Sequence, residues 1–141
     1  MPARGLVMLQ RRPEFLRIRG GLRSSCDAFV VEAKSRDGWI SPTPVPAEIA
    51  RFGLTVTKQH GSAVVRNRTR RRLKAALREL APSLAKPGFD YVVIARANLK
   101  EIRFDRLLAE LTAALERVHS ARQPRPKAAP RAKPADNSSR T

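Results

Sequence analysis

The chain has little with which to do thiol, metal or acid–base chemistry of its own. Its one cysteine, Cys26, excludes an internal disulfide, and with only His60 and His119 beside it no Cys/His set has zinc-ligand spacing. Cys26 therefore reads as a small residue near a strand. No apolar run approaches the roughly 20 residues of a membrane helix. Leu6-Val7-Met8-Leu9 is likewise shorter than a signal-peptide core of about 7–15 residues. The expectation is no membrane partner and a cytoplasmic location. Negative charge is scarce too: 12 Asp and Glu stand against 29 Lys and Arg, a formal net charge of +17. Such an excess strains a compact fold by self-repulsion unless an anionic partner absorbs it, and nucleic acid is the leading candidate.

The 141 residues suggest one domain plus tails. Residues 1–12 read as a flexible N-terminal segment and 13–120 as an α+β domain. From Ala121 onward the sequence ARQPRPKAAPRAKPADNSSRT holds four prolines among basic and small residues and no large apolar side chain. It cannot bury enough surface to offset an ordering cost of about 1–2 kcal/mol per residue, so 121–141 is expected to be a disordered basic tail.

Inside the domain the hydrophobic rhythm predicts a short basic helix over Pro13–Arg19, a weak strand over Leu22–Ser25, and strands over Ala28–Lys34, Arg51–Thr57 and Asp90–Arg96. The segment Ser35–Ala50 contains SPTPVPAE, which precludes continuous helix and reads as a long loop. Trp39 and Ile40 within it are expected to cap the core. In the strand Arg51–Thr57, Phe52, Leu54 and Val56 share one face while Gly53, Thr55 and Thr57 share the other, leaving one face apolar and one small and polar. A closing helix over Phe104–Val118 carries Phe104, Leu107, Leu108, Leu111, Leu115 and Val118 on the stripe that covers the apolar face.

The helix Val64–Leu80 differs. Val65, Thr69, Leu73, Ala76, Leu77 and Leu80 fall along one side, and Arg66, Arg70, Lys74 and Arg78 recur every four residues along another. Five arginines crowd residues 66–72, and Glu79 is the first acid on the helix. A structural role would need partners of opposite sign, so this side is expected to contact RNA or DNA. A helix-turn-helix protein needs a second helix just upstream. Here the strand RFGLTVT stands in that place, so DNA is not expected as a partner. The open, small-residue sheet face suits an extended single strand. No Ser/His/Asp or Cys/His constellation is legible. His60 reads as a loop histidine facing RNA or solvent rather than a general base.

The run GLTVTKQHGSAVVRNRTRRRLKAALRE resembles the signature of the protein subunit of bacterial ribonuclease P, a strand ending in Ser/Thr-Lys followed by Gly-x-Ala-Val-x-RNR on a helix. LQRRPEF, the Phe-Val strand and DYVVIAR agree with it, and the resemblance spans roughly residues 8–118. It implies a two-layer sheet-and-helix sandwich similar to the second domain of ribosomal protein S5, with a left-handed strand-helix-strand crossover. It also implies an auxiliary subunit of an endonuclease whose catalyst is RNA, acting on precursor tRNA, with magnesium held mainly by the RNA. By position, Arg66, Asn67, Arg68, Arg70 and Arg71, extended by Arg72 and Lys74, would meet the catalytic RNA. Phe15, Val30, Lys34, Thr55 and Lys58 would line the cleft for the 5′ leader. Gln59, Glu32 and Arg19 depart from the family pattern, and Glu32 would need a compensating cation such as Lys34. The residues alone leave open a general RNA-binding or RNA-chaperone protein of ribosomal type.

Overall fold

Period-two strands of β-branched and aromatic residues can bury one face only against something apolar, and two amphipathic helices supply it. The computed structural model describes residues 6–120. The expected tail 121–141 lies outside them. The elements run β1 (Val7–Met8), α1 (Arg12–Ile18), β2 (Leu22–Ser25), β3 (Phe29–Ser35), β4 (Arg51–Thr55), α2 (Ala63–Leu84), β5 (Phe89–Ala95) and α3 (Phe104–Ser120). Single 3₁₀ turns occupy Lys58–His60 and Ala97–Glu101. No helix among the described residues is long and apolar enough to cross a membrane.

The strands form one sheet in the order β1-β4-β5-β3-β2. β4 and β5 are parallel neighbours joined through α2, the strand-helix-strand crossover that the sequence implied. β5 pairs antiparallel with β3, and β3 with β2. Phe29, Val31 and Ala33 of β3, Phe52 of β4 and Tyr91 and Val93 of β5 meet Leu73, Ala76 and Leu77 of α2. Leu107, Leu111, Leu115 and Val118 of α3 complete this core. Phe52 and Tyr91, opposite each other in register, stack at 4.9 Å.

Several expectations need correction. Residues 1–12 are not a loose segment from Leu6 onward: Val7–Met8 pairs parallel with Arg51–Phe52, and Leu9 is buried. α2 runs on through Pro82 to Leu84, and the Ala85 N–H still bonds the Ala81 carbonyl at 3.0 Å. Phe104, at the start of α3, is 36% exposed rather than core. Ile40 is 92% exposed, and Trp39 caps no core but lies against the Arg17 guanidinium, 4.1 Å from ring centroid to carbon. Cys26 is half-buried in the β2–β3 turn, where burial pushes its thiol pKa up.

The opposite face of the sheet carries α1 and a charged interior that composition did not reveal. Asp90 is fully buried and accepts from Arg36 (2.7 Å), from Arg51 through Nε and Nη2 (2.9 and 2.8 Å), and from Arg17 (3.3 Å). Arg51 also reaches Glu14 of α1 at 3.3 Å. Burial by itself would raise the Glu14 carboxyl. The backbone N–H groups of Arg11 and Gln10, together with the Arg51 charge, more than offset it and hold the pKa at about 2. Three arginines and two acids thus brace α1 against β4 and β5.

Candidate nucleic-acid interface

The start of α2 is fixed locally. Gly61 has φ 144°, a conformation that L side chains rarely adopt, and it lets the chain turn out of the Lys58–His60 3₁₀ turn. Ser62 then caps the helix, its Oγ accepting from the Val65 N–H at 3.3 Å. His60 is not a loop histidine facing RNA or solvent: it is 2% exposed, with Nε2 2.7 Å from the Thr69 hydroxyl on the inward side of α2. Burial, reinforced by the nearby Lys100 charge, lowers its pKa, so it packs as the neutral ring and is no general base.

The cations of α2 divide by orientation. Arg68 and Arg71 are exposed and Lys74 half-buried, and none of the three makes a hydrogen bond or ion pair among the described residues. Asn67 is exposed and accepts from Arg70 at 3.1 Å. Arg70 turns its other nitrogen toward the Val56 carbonyl at 3.5 Å, and Arg66 donates to the Gly61 carbonyl at 2.8 Å. The first bond ties α2 to the end of β4 and the second to the turn just before the helix, and both leave their guanidinium groups half-exposed. Arg72 is different: it donates to the carbonyls of Leu99 and Ile102, clasping the second 3₁₀ turn, so its first task is structural. No residue from Arg66 to Arg78 has an acidic partner among the described residues. The helix N-terminus adds its positive dipole end to the same surface.

The residues expected at the leader cleft share the sheet face opposite the main core. Phe15 of α1 is half-buried against Leu9, Ile18, Val92 and Ile94, so it is neither core nor free but one wall. Its ring passes over Gly53, where a Cβ would come within 2.8 Å of Phe15 Cζ. Cross-strand register places Val30 beside Ile94 and Ile94 beside Thr55 on this face, but Val30 is only 4% exposed, so packing between neighbouring strands covers it rather than leaving it open to a ligand. Lys58, exposed, follows at the β4 end. Lys34, also exposed, stands at the far end of β3, with its amine 3.5 Å from the Arg17 carbonyl. Glu32 lies between Val30 and Lys34 but pairs with neither: it accepts from Arg23 of β2 at 2.8 Å. Arg23 is the compensating cation, a cross-strand partner that spacing along β3 could not reveal.

Among the described residues no group of three or more His, Cys, Asp or Glu side chains could hold a metal ion. The described residues thus offer magnesium no three-ligand site of their own.

The comparisons agree in one direction. The Ribonuclease P family model matches residues 5–119. A ribonuclease P protein component from Ruegeria pomeroyi is 38% identical over 82% of this chain and 89% of its own length. One from Paramagnetospirillum magneticum is 39% identical over 80% and 83%. Among solved structures, the RNase P protein from Thermotoga maritima superposes with a TM-score of 0.63 at 28% identity, covering 78% of this chain and 96% of that one. With the family model matched over residues 5–119 and relatives 38% and 39% identical over most of its length, the chain belongs to the ribonuclease P protein family.

Proposed function

We propose that this chain is the protein component of ribonuclease P, with α2 binding the catalytic RNA and the trough of Phe15, Lys34, Thr55 and Lys58 receiving the 5′ leader of precursor tRNA. The observation that carries the reading is that Arg68, Arg71 and Lys74 have no partner within the described fold, while the buried Arg36 and Arg51 are both paired with Asp90. Unpaired guanidinium groups at helical spacing neutralise close-packed phosphates, and displacing counterions from an RNA drives the association. Two RNAs repel each other. A basic subunit between them lowers that repulsion and raises substrate affinity, while phosphodiester hydrolysis and its magnesium belong to the RNA.

Reconstitution tests this. The purified chain, with and without the catalytic RNA, is assayed on precursor tRNA at low magnesium. Stimulation of cleavage only in the combined reaction is expected. Equal binding to unrelated RNAs with no stimulation would point instead to a general RNA-binding protein, and cleavage by the chain alone would overturn the reading.

A further inference from the structure

We infer that Trp39 and the cleft it lines form a stacking site for one unpaired nucleobase of RNA; the inference rests on the chain being an RNA-binding subunit. The cleft, about 790 Å³, lies between the loop after β3 and the turn before β5, and Trp39, Ile40, Pro44, Val45 and Pro87 give it apolar walls. That size suits a small flat ligand. The Arg17 guanidinium covers one side of the indole, 4.1 Å from its centroid, and Trp39 stays half-exposed, so the rest of the ring belongs to the cleft. Beside it Ile40 is almost fully exposed, an apolar side chain that no core accounts for.

The platform is fixed before any ligand arrives. The Trp39 N–H donates to the Arg36 carbonyl at 2.9 Å, and the Arg36 guanidinium donates to the Pro46 and Ile49 carbonyls and to Asp90. Arg51 reaches the Thr43 carbonyl and the Ser41 hydroxyl donates to Glu14, so the loop is tied along its length to the buried ion pairs. A guanidinium against one side of the indole holds the ring as well. An aromatic ring that is already ordered loses little entropy when a base stacks on it. Charge around the cleft selects the occupant. Lys34 is exposed, with its amine near the carbonyl of Arg17, and the exposed Lys86 precedes Pro87, so both sides supply cations for the phosphates that flank a stacked base. Asp37, exposed on the same loop, repels phosphate and keeps the backbone on the lysine side. Ser35 opposite Phe89 marks the end of the sheet away from the first turns of α2, which follow Thr55 at the other end. A base held on Trp39 is thus a second point of attachment, separate from the arginine helix.

Trp39 is the chain's one tryptophan, so its emission reports on this site alone. Titrating the full chain with single-stranded oligoadenylate should quench that emission, while inorganic polyphosphate, which has the charge and no bases, should bind and leave it unchanged. In filter binding, Trp39→Ala should weaken oligoadenylate about fivefold or more. Its affinity for polyphosphate should stay as in the wild type, which a misfolded variant would not show, and Trp39→Phe, which keeps a ring, should restore most of the loss. Equal quenching by polyphosphate, or unchanged oligoadenylate binding in Trp39→Ala, overturns the site. The holoenzyme separates the two sources of a base. Quenching when the catalytic RNA is added assigns the base to that RNA, and quenching only when precursor but not mature tRNA follows assigns it to the leader. Quenching at neither step overturns the site while RNA binding stands; a chain that binds no RNA overturns the proposed function itself.

Discussion

The ring of Phe15 occupies the space that any side chain at Gly53 would need. A Cβ there would lie within 2.8 Å of Phe15 Cζ and 2.9 Å of Leu9 Cδ1. Gly53→Ala must therefore push the wall of the trough outward. Overpacking of this kind costs about 1–3 kcal/mol. The expected outcome is a lower melting temperature together with a reduced preference for precursor over mature tRNA; a stable variant with unchanged preference would show that the position of Phe15 is irrelevant to the leader.

Arg68→Ala and Arg71→Ala remove groups with no partner in the described fold, so stability should change by less than about 0.5 kcal/mol. Binding to the catalytic RNA should weaken. The slope of log K against log salt should become shallower by about 0.7–0.9 for each phosphate that is no longer neutralised. Arg72→Ala makes the contrasting case. It frees the carbonyls of Leu99 and Ile102 and should lower the melting temperature more than either. Filter binding across a salt series and calorimetry on the same three variants distinguish the groups.

Asp90→Asn should be the most damaging single-atom change in the molecule. Arg17, Arg36 and Arg51 all lean on that carboxylate in a buried setting. Breaking a buried ion pair by removing one partner typically costs about 3–5 kcal/mol. Urea denaturation of the variant checks the size, and a drop in stability under about 1 kcal/mol would mean that the brace is dispensable.

Stability should decline on acidification in two stages. Burial lowers the pKa of both His60 and His119, with Lys100 and Lys86 adding to the effect. The Tyr91 hydroxyl accepts the Lys86 N–H at 2.8 Å and is hydrogen-bonded to His119 Nε2 at 2.5 Å. The unfolded chain takes up protons at these rings first, so stability is full above the ordinary histidine pKa of about 6.5 and falls as pH drops below it. Glu14, held at about 2, contributes stability that is present above its unfolded value of 4.5 and lost between there and about 2. That second stage is worth on the order of 3 kcal/mol. Chemical denaturation at pH 8, 6, 5 and 3 should show both.

Sequence reading worked where a pattern is local. The β3, β4 and β5 strands and the apolar stripe of α3 were legible to within a residue or two, and the clustered arginines placed α2, though not its last turn. It failed where partners meet through space. β1 is two residues long and exists only because β4 lies beside it. His60 is buried because Thr69 faces it from the second turn of a helix, and no nearby spacing records that contact. Arg17, Arg36 and Arg51 look like three more RNA-binding cations in a basic chain. The available hint was Asp90 at the head of the otherwise apolar strand DYVVIA, since an acid placed there demands cations to bury with it. The cleft residues were readable as types, but Phe15 as a wall and Arg23 as the partner of Glu32 required the register of the sheet.

On the proposed leader site, the Asp90 brace gives the interior a say in substrate choice. Arg17 and Glu14 belong to the same short helix as Phe15, so its tilt over the sheet is set by charges that never meet RNA. In a genetic selection for restored tRNA maturation, second-site suppressors of a weakened Phe15 should surface at these hidden ion pairs as readily as along the exposed arginines.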